Sequence, residues 1–279
     1  GAIALGALVF SFVYWTFGFL RMGTTGFVAQ ASGAGKQLEV RVAVGRALLM
    51  ALLLGAGLVI LQLPVAWIAF SILDGSAEVE TIARQYVLIR IWGAPAALTS
   101  FAISGALIGL GRSRTLLALQ VFTNGLNIAL DVLFAGVYGW GTQGIAAGTL
   151  IAEWSAAVVG GLSLLSLLRA QHDDSEPFMP WRLLRNAGEL LRTLRVHADI
   201  MIRTLLMLIA FGWFTQQGAR MGEATLAANH VLLQFIFFSA FFLDGYAFAT
   251  ESLVGAAIGA RDRCAFDEVV RRSSVLAGI

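Results

Sequence analysis

The chain has 279 residues, 58% of them hydrophobic and only 13% charged, with a mean hydropathy of +0.80 and a net charge of +2. Soluble domains carry roughly 25% charged residues, so this composition excludes an ordinary soluble enzyme and asks for a membrane. The single Cys264 forms no internal disulfide, metal-ligand spacings are missing from the sequence, and no cofactor is expected.

In chain order the sequence predicts seven complete apolar spans, at about 3–31, 46–73, 82–111, 115–138, 143–168, 199–219 and 226–259. An eighth begins near 268. Each complete span reaches or exceeds the ~20 residues that cross ~30 Å of hydrocarbon. Alternating strand patterns are absent, so the expected fold is all-α, a polytopic transmembrane helix bundle.

Basic residues follow every second span. Lys36, Arg41 and Arg46 follow the first, Arg112 and Arg114 the third, Arg169 through Arg195 the fifth, and Arg261 through Arg272 the seventh. The intervening loops are acidic, as in Asp74–Glu80, or uncharged; Arg220 alone breaks the alternation. By the positive-inside rule the basic loops are cytoplasmic and every span acquires a direction. Gly1 is thereby placed outside, yet there is no initiator Met or signal peptide to carry it there. The expectation is an interior piece of a longer protein of the inner (plasma) membrane, with at least one helix before Gly1.

Several features along these spans have ordinary structural readings. Gly105-xxx-Gly109, Gly144-xxx-Gly148 and Gly255-xxx-Gly259 permit close helix packing. Pro64 and Pro95 kink their spans. Arg84 snorkels to the interface, His230 is an interfacial hydrogen-bonder and Asp173-Asp174 a solvated loop. Arg21 and Arg90 lie deeper and need acidic, backbone or water partners. Between the fifth and sixth spans, 169–198 contains Pro177 and Pro180 and then Leu184, Leu191 and Leu194 interleaved with Arg. That pattern reads as a basic amphipathic helix on the cytoplasmic leaflet.

The functional signal lies in the fourth span. Gln120, Asn124, Asn127 and Asp131 are spaced four, three and four apart, which places them in one column of a helix. A carboxylate backed by carboxamides inside a bilayer reads as a cation or proton site. Glu153, one turn after Thr149 in the fifth span, and Asp244, two turns before Glu251 in the seventh, are further acids within spans. A static hydrogen-bond network locking two helices is the structural alternative for the stripe.

Other function classes fit less well. Ser104-Gly105 lacks the preceding glycine of a nucleophile motif, and His230 has no evident partner, so a hydrolase is not supported. The only lysine, Lys36, is in a loop and cannot form a mid-membrane Schiff base.

Arg21-Met-Gly-Thr-Thr-Gly-Phe-Val-Ala-Gln30 resembles the second helix of the multidrug and toxic compound extrusion (MATE) transporters, DinF-type branch. Tyr86-Val-Leu-Ile-Arg90-Ile-Trp-Gly93-Ala-Pro95, Gly105 through Arg114, Asn124-xx-Asn127-xxx-Asp131 and Gly144 through Glu153 continue the pattern in the family's order. The resemblance implies twelve helices in two six-helix lobes. This chain would supply helices two to eight and the start of nine. Residues 1–168 would belong to the amino-terminal lobe, 169–198 to the inter-lobe linker and 199–279 to the start of the carboxy-terminal lobe.

The resemblance further implies efflux of amphipathic, often cationic, compounds by antiport with protons or sodium. The coupling site would use Asn127, Asp131 and Thr149, with Asn124 alongside, possible Na+ at Asp131, and an acid from the first helix. Glu153, Asp244 and Gln120 are secondary candidates. Phe12, Tyr14 and Trp15 are candidates for an aromatic substrate cavity. Expected partners are small amphipathic molecules and the bilayer, with no nucleic acid and a monomeric full-length protein. A flippase for a lipid-linked precursor of the same superfamily is the alternative; Arg21 and Arg90 suit its anionic cargo.

Overall fold

Lipid offers no hydrogen bonds to a backbone, so long apolar segments satisfy their own N–H and C=O groups by coiling into helices. The computed structural model describes residues 2–72, 77–170, 172, 178, 181–184 and 187–278, and among them every regular element is helical. In order these are α1 (Ala2–Thr16), α2 (Phe19–Gly33), α3 (Gln37–Ile60), α4 (Gln62–Ile72) and α5 (Ala77–Arg90). A 3₁₀ turn (Ile91–Gly93) leads into α6 (Ala94–Gly109), followed by α7 (Ser113–Asp131) and a π-helical segment (Val132–Val137). The remainder is α8 (Gly141–Ala170), α9 (Trp181–Leu184), α10 (Ala187–Arg220), α11 (Glu223–Ala260) and α12 (Arg263–Ala277).

Six of these segments are long and apolar enough to cross a membrane, one fewer than the complete spans expected. The difference lies at 3–31, where a turn at Phe17 and Gly18 divides the span into two helices of 15 residues each. Both expected proline kinks are present. Pro64 offers no N–H to the Ile60 carbonyl, and the helix breaks at Leu61. Pro95 likewise offers no N–H to the Ile91 carbonyl, which accepts from the Ala94 N–H instead as the chain tightens into the 3₁₀ turn before continuing as α6.

The basic amphipathic stretch and the sixth span form one helix, α10, because no proline interrupts the chain between Ala187 and Arg220. Leu184 is buried and Leu191 exposed. Pro177, Pro180, Asp173 and Asp174, and the side chains of Arg182, Arg185, Arg192 and Leu194, lie outside the described residues, as do 73–76 of the acidic outer loop. The last helix starts at Arg263 rather than near 268, because the Asp262 side chain accepts a hydrogen bond from the Ala265 N–H and caps it.

α2 is the hub, packing chiefly against α6, α11 and α3. Small residues make this possible. On α6, Gly105 and Gly109 lie against the backbone carbonyls of Arg21 and Thr25, and on α11, Gly259 lies against that of Gln30. A side chain at any of these positions would hold the helices apart. The two threonine hydroxyls buried on α2 are satisfied locally, Thr24 donating to the Leu20 carbonyl and Thr25 to that of Arg21. Outside this core the transmembrane parts of α7, α10 and α11 stay largely exposed.

Candidate functional site

α7 and α8 run back against each other, joined by a tight turn in which Gly139 and Gly141 adopt φ of +70° and +56°. The polar stripe of α7 ends at this junction. Asp131 is the last residue before the helix widens into the π segment, where the Tyr138 N–H bonds the Leu133 carbonyl at 2.9 Å. Single π turns occur frequently at functional sites because they release a helix from strict i→i+4 bonding.

Two members of the stripe join a site and two do not. The Asn127 side-chain amide donates to Asp131 Oδ1 at 3.4 Å and to Thr149 Oγ1 at 3.2 Å, bridging α7 to α8. Thr149 in turn donates to the Ile145 carbonyl at 3.0 Å. Gly148 lets the backbones close here, since a Cβ on it would lie 2.5 Å from Asp131 Oδ1. Asn124 and Gln120, one and two turns earlier, are exposed and make no side-chain bond among the described residues.

One helical turn beyond Thr149, Glu153 builds the adjoining half of the site. Its Oε1 is 3.3 Å from an Arg90 Nη, a pair with side-chain exposures of only 14% and 16%. The other Arg90 Nη donates to the Tyr86 hydroxyl at 3.1 Å. The guanidinium lies 4.7 Å from the Phe10 ring centroid, within cation–π range. Three buried polar atoms around this pair have no hydrogen-bond partner among the described residues: Glu153 Oε2, Arg90 Nε and the Tyr14 hydroxyl. The charge of Arg90 also acts on Asp131, so the two halves form one electrostatic unit.

The remaining expected residues lie elsewhere. Asp244 is exposed on α11, with Glu251 two turns further on. Both act on Arg21, whose guanidinium sits 3.9 Å from the Phe248 ring centroid, so these acids form a separate cluster where α2 meets α11. Of the three aromatic candidates, Phe12 and Trp15 are about half exposed, at 52% and 50%. Only Tyr14 faces the polar cluster, with its ring 5.4 Å from that of Phe10. The partnership of Arg90 with Glu153 was not read from the sequence, although its signal was present. A deep arginine requires an acid, and only Asp131 and Glu153 lie well within the first five spans.

His197 was also missed. It is 3% exposed at the start of the membrane part of α10, seated on Gly23 beside Phe19 and Phe27, with both ring nitrogens unpartnered. Among the described residues no group of three or more His, Cys, Asp or Glu side chains could hold a metal ion. The donors at Asp131, Asn127 and Thr149 are hard oxygens, which suit a proton or an alkali cation.

The MatE family model matches residues 1–133 and 200–279. The chain belongs to the MatE family. It is 37% identical to DNA damage-inducible protein F of Escherichia coli K12 over all of its own length and 60% of that protein. A probable multidrug resistance protein NorM of Rhizobium meliloti is 32% identical over 84% of this chain and 50% of the relative.

Among solved structures, one described as MATE in the straight conformation superposes on this MatE chain with a TM-score of 0.83 at 25% identity, covering 99% of this chain and 61% of that one. A Pyrococcus furiosus transporter of the MOP superfamily, described as having a binding pocket of reversed polarity, gives a TM-score of 0.87 at 24% identity and covers 99% and 60%. The MatE chain thus spans 50–61% of the length of these relatives. Its fold is that of a MATE transporter, all-α and polytopic, and it is a multi-pass protein of the inner (plasma) membrane.

Proposed function

We propose that this chain is the greater part of a secondary multidrug transporter that exports amphipathic or cationic molecules in exchange for protons or sodium. Residues 1–168 form its amino-terminal lobe, 169–198 the linker and 199–279 the start of the second lobe. The observation that carries this reading is the Asp131–Asn127–Thr149 cluster, in which the Asn127 amide bridges two membrane helices and also holds a carboxylate at an α-to-π junction. Protonation or sodium binding at Asp131 removes its charge and lets α7 and α8 repack. A ligand shifts the balance between inward and outward states only through its different affinity for the two, and this repacking supplies the difference.

The flippase alternative required free cationic charge along the cavity. Arg90 is ion-paired with Glu153, and Arg21 lies over Phe248 within the field of Asp244 and Glu251. The charge of Arg90 is neutralised by this pair, which favours cationic over anionic cargo around it. The test is Asp131→Asn in the full-length protein reconstituted in proteoliposomes. Ion-driven drug efflux is expected to disappear while expression is kept; transport at the wild-type rate would overturn the assignment.

A further inference from the structure

Resting on that reading of Asp131, the geometry points to a second component of the site: Arg90 is a resident counter-charge that sets how much cation the site binds, and Glu153 is the positioning residue that holds it. Arg90 reaches the cluster from α5 and is held on three sides. Glu153 on α8 binds one Nη at 3.3 Å, Tyr86 accepts from the other at 3.1 Å, and the Phe10 ring on α1 covers the guanidinium face at 4.7 Å. Glu153 shares its helix face with Thr149, which is bridged through Asn127 to Asp131. Two polar groups, Asp131–Asn127–Thr149 and Glu153–Arg90–Tyr86, therefore lie one helical turn apart on α8.

The charged groups that act on one another here are Asp131, Glu153 and Arg90, with the hydroxyls of Tyr14 and Tyr86 beside them. Two carboxylates face one guanidinium. In a low-dielectric site each unit of uncompensated charge is costly, so the site tends toward neutrality. The bound coupling ion adds to the positive charge that Arg90 supplies. Glu153 binds Arg90 through one oxygen only, leaving Oε2 and Nε unengaged. Such a pair is well placed to loosen as the charge on Asp131 changes.

The sign of each substitution follows from this count. Removing the charge of Arg90 raises the demand for cation by one charge. Removing that of Glu153 lowers it by one, because Arg90 then serves Asp131. Removing both leaves the demand unchanged. A pair that merely braces α5 against α8 would lower stability in both single variants without moving ion affinity in opposite directions.

The experiment measures the half-activating concentration of sodium, and separately of protons, for drug efflux by full-length protein in proteoliposomes. Arg90→Gln is expected to tighten ion affinity about tenfold, Glu153→Gln to weaken it about tenfold, and the double variant to return within about threefold of wild type. Shifts of the same sign in both single variants, or no shift in either, overturn the counter-charge. If Arg90→Gln does not accumulate in the membrane, Glu153→Gln decides alone, and unchanged ion affinity there is the overturning result. Asp131→Asn run in parallel separates the two claims. Its retention of ion-driven efflux overturns the proposed function, whereas its loss together with same-sign shifts overturns only the role of Arg90.

Discussion

Gly148 determines how closely α8 approaches the carboxylate of Asp131. Even a methyl group there would sit 2.5 Å from Oδ1, and Gly144 fulfils the same function against the backbone of Phe134 one turn earlier. We expect Gly148→Ala to cost about 1–3 kcal/mol by overpacking and to displace Asp131 from Asn127 and Thr149. Thermal unfolding in detergent measures the first effect, and the ion dependence of efflux the second. Gly144→Ala is the control, because it crowds the same interface without touching the carboxylate. Wild-type ion dependence in Gly148→Ala would show that the close approach is packing alone. The glycine pair was legible in the sequence as a packing motif. That one of its members abuts the acid was not, because the offset between two helices is set by how their surfaces interlock.

α2 and α11 give the corresponding case at the scale of whole elements. Both end in small residues followed by a basic flank, and both run from outside to cytoplasm by the charge pattern. The structure brings these two ends together. A Cβ on Gly255 would lie 2.7 Å from that of Ala29, Gly33 faces the backbone of Ala256, and the Ser252 hydroxyl donates to the Ile108 carbonyl of α6 at 2.7 Å. Contacts of this kind close the cytoplasmic side between the proposed lobes. Ala29→Cys combined with Gly255→Cys, with Cys264→Ser to remove the native thiol, is expected to form a disulfide under mild oxidation, since the Cβ separation needs only a small opening to reach the usual 3.5–4.5 Å. The cross-link should arrest efflux and reduction should restore it. Unimpaired efflux by the cross-linked protein would mean that this contact does not open during transport.

At the scale of the molecule, exposed apolar surface is where this chain meets lipid or further helices of a bundle. Phe235, Phe238, Phe241 and Phe242 of α11 are all well exposed, Phe241 at 75% near the middle of the helix. In water such a surface would aggregate, whereas in hydrocarbon it costs nothing. Phe241→Arg is expected to cost about 2.5–3.5 kcal/mol of membrane insertion, read as a lower inserted fraction when the span is tested for glycosylation of flanking sites. Insertion at the wild-type level would place Phe241 on a water-filled face. By contrast α6 is buried along most of its length, with Leu98, Ile103, Ala106 and Leu107 fully enclosed among α2, α3 and α8. Hydropathy alone made α6 and α11 alike, because apolar residues are equally suited to a protein core and to lipid.

Composition and periodicity by themselves determined that this is a helical membrane protein and where most spans lie, and the alternation of Arg-rich loops supplied an expected direction for each. Those properties depend on local chemistry: the length of an apolar run, the missing N–H of Pro64 and Pro95, and the cost of moving Arg and Lys across a bilayer. The stripe ending in Asp131, with Asn127, was legible for the same reason, since residues three and four apart on a helix are neighbours whatever surrounds them, whereas Thr149 lies on the next helix and entered only through the family resemblance. Tertiary structure alone decided that Asn124 and Gln120 face outward, that Arg90 pairs with Glu153 63 positions away, and that Asp244 joins the cluster around Arg21 instead. Each of these depends on the rotation and offset of one helix against another, which depend on the joint fit of many side chains and are carried by no single segment.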